Sequence, residues 1–157
     1  MESHELTGAA CPMTLRIGDE DKEFQASPFS DKDYDELNLW VQSQVVTIAR
    51  RALNVQLDDE EISSQQYNDE MGIAYVASSG VSLYTPQGSA IISTPQGIAR
   101  IAWQMLKKRH PDLKYKSLLE PCKSIENQTT VLQTSNKLNA SVMKVDSGGD
   151  EGSAKND

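Results

Sequence analysis

The stretch SPFSDKDYDELNLWVQSQVVTIARRAL, residues 27–53, constrains the fold more than any other. Tyr34, Leu37, Val41, Val45, Ile48 and Ala52 recur at steps of three and four, and Trp40, Ala49 and Leu53 widen the stripe. That period lines one side of an α-helix. Ser30 stands where an N-cap belongs, with a hydroxyl that can accept from an orphan backbone amide. Asp31, Asp33, Asp35 and Glu36 crowd the first turns and complement the positive end of the helix dipole. Arg50 and Arg51 lie toward the other end, where cations are favoured. Pro28 cannot extend the helix backwards. These features predict a helix from Asp31 to Leu53. Burying one Leu or Val side chain contributes about 1.5–3 kcal/mol, so the stripe needs a protein surface over it, from this chain or another.

The remaining segments are shorter and more polar. Residues 1–12 read as a loose arm. In MTLRIG, Met13, Leu15 and Ile17 alternate with Thr14 and Arg16; in KEFQAS, Phe24 and Ala26 alternate with Gln25 and Ser27. This is the period of a β-hairpin, with its turn expected at Asp19–Asp21. After the long helix, Asp58 or Asp59 is expected to cap a second helix that carries Ile62, Tyr67, Met71, Ala74 and Ala77 and ends before Gly80. TPQG occurs twice, at 85–88 and 94–97. The first copy reads as a turn. The second reads as a helix entry, with Thr94 as N-cap and Pro95 in the first position. The third helix then follows as TPQGIARIAWQMLKKRH, with Ile98, Ile101, Ala102, Met105 and Leu106 on one side and Trp103 flanking. Lys107–His110 fill its last turn, and Pro111 stops it. DLKYKSLLEP adds a short helix that docks Leu113, Leu118 and Leu119. Beyond Cys122, Val131, Leu132, Leu138 and Val142 are too sparse for a core helix, and from Lys144 the composition is that of a disordered tail. The expected fold is mostly α (α+β): an N-terminal β-hairpin, three or four helices and a disordered C-terminal tail. Its divisions are an arm at 1–12, a helical domain at 13–121 and a polar tail at 122–157.

The formal net charge of −8 argues against nucleic acid as the main partner. Residues 1–36 carry ten acids and three bases, whereas 95–123 carry seven bases and two acids. That asymmetry reads as solvated helix faces or, functionally, as self-association of acidic end on basic end. No run of 18 apolar residues is present, so no membrane span is expected. MESHELTGAACP lacks the apolar region of a secretory signal. Cys11 and Cys122 lack CxxC company and read as reduced thiols. The sequons at Asn127 and Asn139 then read as chance matches. His4 and His110 stand beside no recognisable nucleophile motif. The acidic run Asp58–Glu61 lacks the alternation and glycine of a calcium loop and fits a helix N-terminus better. Neither TPQG belongs to a phosphate loop, and the KKRH run fits a helix end better than a nucleic-acid patch. No catalytic residue, cofactor or metal ligand is expected. Leu37, Trp40, Val41, Val45, Ile101, Trp103 and Met105 are the candidates for core or protein-binding groove.

The order of pieces carries a resemblance. LRIGDEDKEF leads through SPFSDKDYDELNLWVQSQVV into the long helix, and STPQGIARIAWQMLKKRHPDL follows as a helix ending in a basic residue, His and Pro. This resembles the tail assembly chaperones of long-tailed bacteriophages over residues 13–120; segment 54–94 and the polar tail carry no family signature. The resemblance implies a non-enzymatic protein of the host cytoplasm that binds the tape-measure protein during tail assembly. It would keep the client's hydrophobic helices soluble and be absent from the finished virion. It also implies a longer form made by frameshifting near the C-terminus. Rival readings are a virion structural protein, either a head–tail connector or a minor tail component closing a ring, and a regulatory interaction module. A small enzyme or metal-dependent regulator would require His110, Cys122 or the 58–61 acids to converge.

Overall fold

The computed structural model describes residues 10–139. The element order is β1 (Cys11–Ile17), β2 (Glu20–Ala26), α1 (Asp31–Asp58), α2 (Ser64–Ser78), α3 (Pro86–Ile92), α4 (Pro95–Leu106), α5 (Lys116–Leu119), a 3₁₀ turn (Pro121–Lys123) and α6 (Ile125–Leu138). The chain is therefore mostly helical with an N-terminal two-stranded antiparallel hairpin. The described residues hold six α-helices, more than the three or four expected. Most of the expected arm and the tail from residue 140 lie outside the described residues. The chain divides into two compact units: one contains 10–33 and 92–139, the other 34–91.

In the first unit the strands pair from Cys11↔Ala26 to Ile17↔Glu20. The turn is the tight pair Gly18–Asp19, earlier than the expected Asp19–Asp21, and Glu20 and Asp21 belong to β2. Gly18 takes φ 65°, a conformation that suits a two-residue hairpin turn. Alternation puts Met13, Leu15, Phe24 and Ala26 in the core and leaves Thr14, Arg16, Glu23 and Gln25 exposed. Helix α4 packs against β2, α5, the 3₁₀ turn and α6, and α6 covers β1. Ile98, Ile101, Ala102, Met105, Leu106, Leu118, Cys122 and Val131 complete the core. Helix α4 ends at Leu106, so Lys107–His110 lie beyond it rather than in its last turn.

Segment 125–138, expected to lack a helix, forms α6. Ser124 caps it, its Oγ accepting from the Asn127 amide at 3.1 Å. Few apolar groups hold α6; its buried residues are Val131 with Asn127, Thr134 and Ser135. Asn127 clamps the outer edge of β1. Its Oδ1 accepts from the Arg16 amide at 2.9 Å, and its Nδ2 donates to the carbonyls of Arg16 and Pro121 at 2.8 Å each. An edge that would otherwise expose unpaired groups is thus covered by a side chain.

Both TPQG copies start helices, so the first is not merely a turn. Thr85 Oγ1 accepts from the Gly88 amide at 3.2 Å, and Thr94 Oγ1 from the Gly97 amide at 3.1 Å. Proline follows each cap, where its missing N–H costs nothing. The glycines allow close backbone approach. A Cβ on Gly88 would fall 1.7 Å from the Ser82 carbonyl oxygen, and one on Gly97 2.3 Å from that of Ile92.

Ser30 caps α1 as expected. Its Oγ accepts from the Asp33 amide at 3.2 Å, and its own amide donates to Asp33 Oδ2 at 2.9 Å. Buried Asp33 also pairs with Lys108 at 3.5 Å. The helix runs to Asp58, five residues past the expected end. Asp58 and Asp59 do not cap α2. Ser63 does, in a reciprocal box with Gln66: Ser63 Oγ accepts at 3.1 Å, and the Ser63 amide donates to Gln66 Oε1 at 2.8 Å. Within the second unit, Gln42 Nε2 donates to the Val81 carbonyl at 3.0 Å, and the Leu83 amide donates to Asn38 Oδ1 at 2.8 Å. These bonds fasten the segment after α2 to α1.

Candidate functional site

The candidates taken from the sequence are mostly interior. Ile101 and Met105 are fully buried in the first unit, and Leu37, Val41 and Val45 are buried on α1. These five form core rather than an open groove. Trp40 is half-buried. Trp103 is half-buried and engaged: its Nε1 donates to the Leu113 carbonyl at 3.1 Å, and Lys107 Nζ stands 4.5 Å from its ring centre. Arg100 stacks on Tyr115 at 3.8 Å, and the Tyr115 hydroxyl donates to the Gln96 carbonyl at 3.1 Å. Burial raises the Tyr115 pKa, and the neighbouring Arg100 partly opposes that shift. This cluster fastens the segment leading into α5 onto α4.

The polar groups weighed for chemistry do not gather. His110 Nε2 accepts from the Gln25 amide at 3.0 Å, and its ring meets Phe24 edge-on at 5.3 Å. Cys122 is wholly buried, and burial pushes its thiol up to about 11. The acids 58–61 close α1 and form the turn after it, with Glu60 at φ 62°. Among the described residues, no three side chains of His, Cys, Asp or Glu are grouped to hold a metal ion. No described helix is long and apolar enough to cross a membrane.

Among the described residues, the exposed large apolar side chains belong to residues 34–91, apart from Ile125. The α1 stripe is buried from Leu37 to Val45 but not beyond. Ile48 is 51% exposed and Val55 60%, with Ala52 exposed between them. Helix α2 is apolar on two opposite sides. Met71 is buried, with Tyr67 and Ala74 half-buried on the same side. Ile73 is 61% exposed and Val76 75%, and with Asp69, Gly72 and Ala77 they line a shallow surface groove. Steps of three and four between 69, 72, 73, 76 and 77 make this a helix-packing seam that no described helix occupies. Gly72 carries nothing within 4 Å of where a Cβ would sit, so a facing backbone can approach closely there. The Arg50 guanidinium donates to the Tyr75 hydroxyl at 3.2 Å, tying α1 to α2 beside the seam.

Sequence reasoning missed Ile73 and Val76 because it followed only the stripe through Met71. The signal was a second apolar pair on the opposite side of the same short helix. No family model, curated protein or solved structure matches this chain.

Proposed function

We propose that this protein is a non-enzymatic binding module that shelters an amphipathic helix of another protein on the outer side of α2. The exposure of Ile73 and Val76 along a helix-packing seam is the observation that carries this reading. Covering two such side chains contributes about 3 kcal/mol, roughly a hundredfold in affinity. Helix-in-groove recognition uses anchors at this spacing. The resemblance of residues 13–120 to phage tail assembly chaperones supports a specific form of the reading, in which the client is the long helical tape-measure protein. Co-expression with that protein tests it. The wild-type chain is expected to raise the soluble yield of the client, and Val76→Asp to abolish the gain. An equal gain from both, or stable incorporation of the protein into finished particles, would overturn it.

The division of charge favours a second reading. Residues 34–91 carry eight acids and two bases, whereas 92–139 carry eight bases and three acids. A minor tail or connector component could use that contrast for head-to-tail assembly. Its presence in purified particles would separate it from a chaperone, which leaves them.

A further inference from the structure

The α2 seam lies in the acidic unit, and its chemistry narrows the partner further. Asp69 lies within the groove, Glu70 follows it, and residues 58–61 supply four more carboxylates before the same helix. The cations of residues 34–91 are Arg50 and Arg51, both on α1. A helix docking on Ile73 and Val76 therefore brings its flanks into a negative field. On a second copy of this chain, the exposed Ile48–Val55 stripe of α1 has Arg50 and Arg51 beside it, but Arg50 is bonded to Tyr75 and the stripe runs into the carboxylates of 58–61. The rest of the copy meets only half of the requirement. Its α2 offers an apolar stripe but the same negative charge. Its basic segment 92–139 offers charge, but among the large apolar side chains there only Ile125 is strongly exposed.

We propose that the outer side of α2 selects a helix of a different protein in which lysine or arginine flanks the apolar stripe. This rests on the helix-sheltering reading above and adds the charge of the partner. The apolar seam supplies most of the affinity; the carboxylates set the preference. Two or three solvent-exposed ion pairs give about a tenfold discrimination at low salt. Added salt removes it, because the screening length falls to about 3 Å at 1 M. Gly72 and Ala77 leave room for a small residue of the partner at the crossing point.

The test uses the full chain and three fluorescent peptides that share one helical leucine–alanine stripe, flanked by lysine, glutamine or glutamate. Anisotropy titrations at low and high salt are expected to rank lysine over glutamine over glutamate, with about tenfold between the extremes at low salt and little at high salt. Val76→Asp is expected to abolish binding of all three. Asp69→Asn combined with Glu70→Gln is expected to flatten the ranking while leaving the glutamine peptide unchanged. Equal binding of all three peptides, lost in Val76→Asp, would overturn the charge preference and leave the helix-sheltering reading standing. No binding of any peptide would overturn both. Binding unaffected by Val76→Asp, or self-association of the peptide-free chain that Val76→Asp abolishes, would overturn the assignment of the seam to a foreign helix.

Discussion

Asn127 ties α6 to a strand more than a hundred residues away in sequence, and its replacement is a sharp test of how α6 is held. It makes three hydrogen bonds of 2.8–2.9 Å, two to the outer edge of β1 at Arg16 and one to the Pro121 carbonyl. A typical intramolecular hydrogen bond contributes about 1 kcal/mol net, and leaving a buried group unpaired costs more. Pro121 keeps a second donor in the Ser124 amide at 3.4 Å, whereas Arg16 loses both of its edge partners. Asn127→Ala is therefore expected to cost about 2–3 kcal/mol in urea unfolding. Asn127→Asp keeps the acceptor for the Arg16 amide but sets a carboxylate oxygen against two carbonyls. At pH 7 it is expected to be at least as damaging as alanine. Burial and the facing carbonyls raise the new carboxyl's pKa above about 3.9. As pH falls through that raised value, the acid protonates and donates to one carbonyl, and its deficit relative to the parent shrinks. The exposed Thr129→Ala, two residues on, serves as control and should stay within about 0.5 kcal/mol. If both Asn127 variants match that control, the clamp does not hold α6.

Three further outcomes are expected. Gly97→Ala should destabilise by about 1–3 kcal/mol or more despite alanine's better helix propensity, because the obstructing atoms are backbone of Ile92; a stabilised variant in thermal or urea unfolding would refute the close approach. Cys122 should resist alkylation at pH 8 until the chain unfolds. Since its pKa rises from 9.0 to about 11 on folding, its contribution to stability is fully present below pH 9 and lost as pH climbs toward 11; a flat unfolding free energy across that window, relative to Cys122→Ala, would contradict this. Val76→Asp should leave stability within about 0.5 kcal/mol, because Val76 is 75% exposed; loss of helical circular dichroism would show that it is interior.

The hairpin, α1 and α4 were legible because their apolar residues repeat at clean periods and both helices have side-chain caps, whereas the four-residue α5 has no side-chain cap and was legible from its leucines and the Pro121 that limits it. Ser30 and Thr94 cap as expected, and Met13, Leu15 and Phe24 face inward as their alternation predicts. Helix α6 escaped because its buried side is largely polar. Thr134 satisfies its hydroxyl on the Thr130 carbonyl at 2.9 Å, and two of the three bonds of Asn127 go to Arg16, 111 residues away. Periodicity of apolar residues cannot see such packing. The first TPQG escaped because α3 is only seven residues long. The proposed binding face escaped for a different reason. The longest stripe drew attention to Leu37, Val41 and Val45, which the fold buries, while the open surface lies on the less regular α2. The same α1 stripe opens to solvent only from Ile48 onward.

The central claim is that the outer side of α2 is where a partner helix sits. Methyl-resolved NMR of the full chain, titrated with the lysine-flanked peptide, tests it most directly. The methyl signals of Ile73, Val76 and Ala77 should shift saturably while those of buried Leu15, Ile101 and Val131 stay in place. Saturable shifts confined to Ile125 or to other methyls remote from α2, with Ile73 and Val76 unmoved, would contradict it.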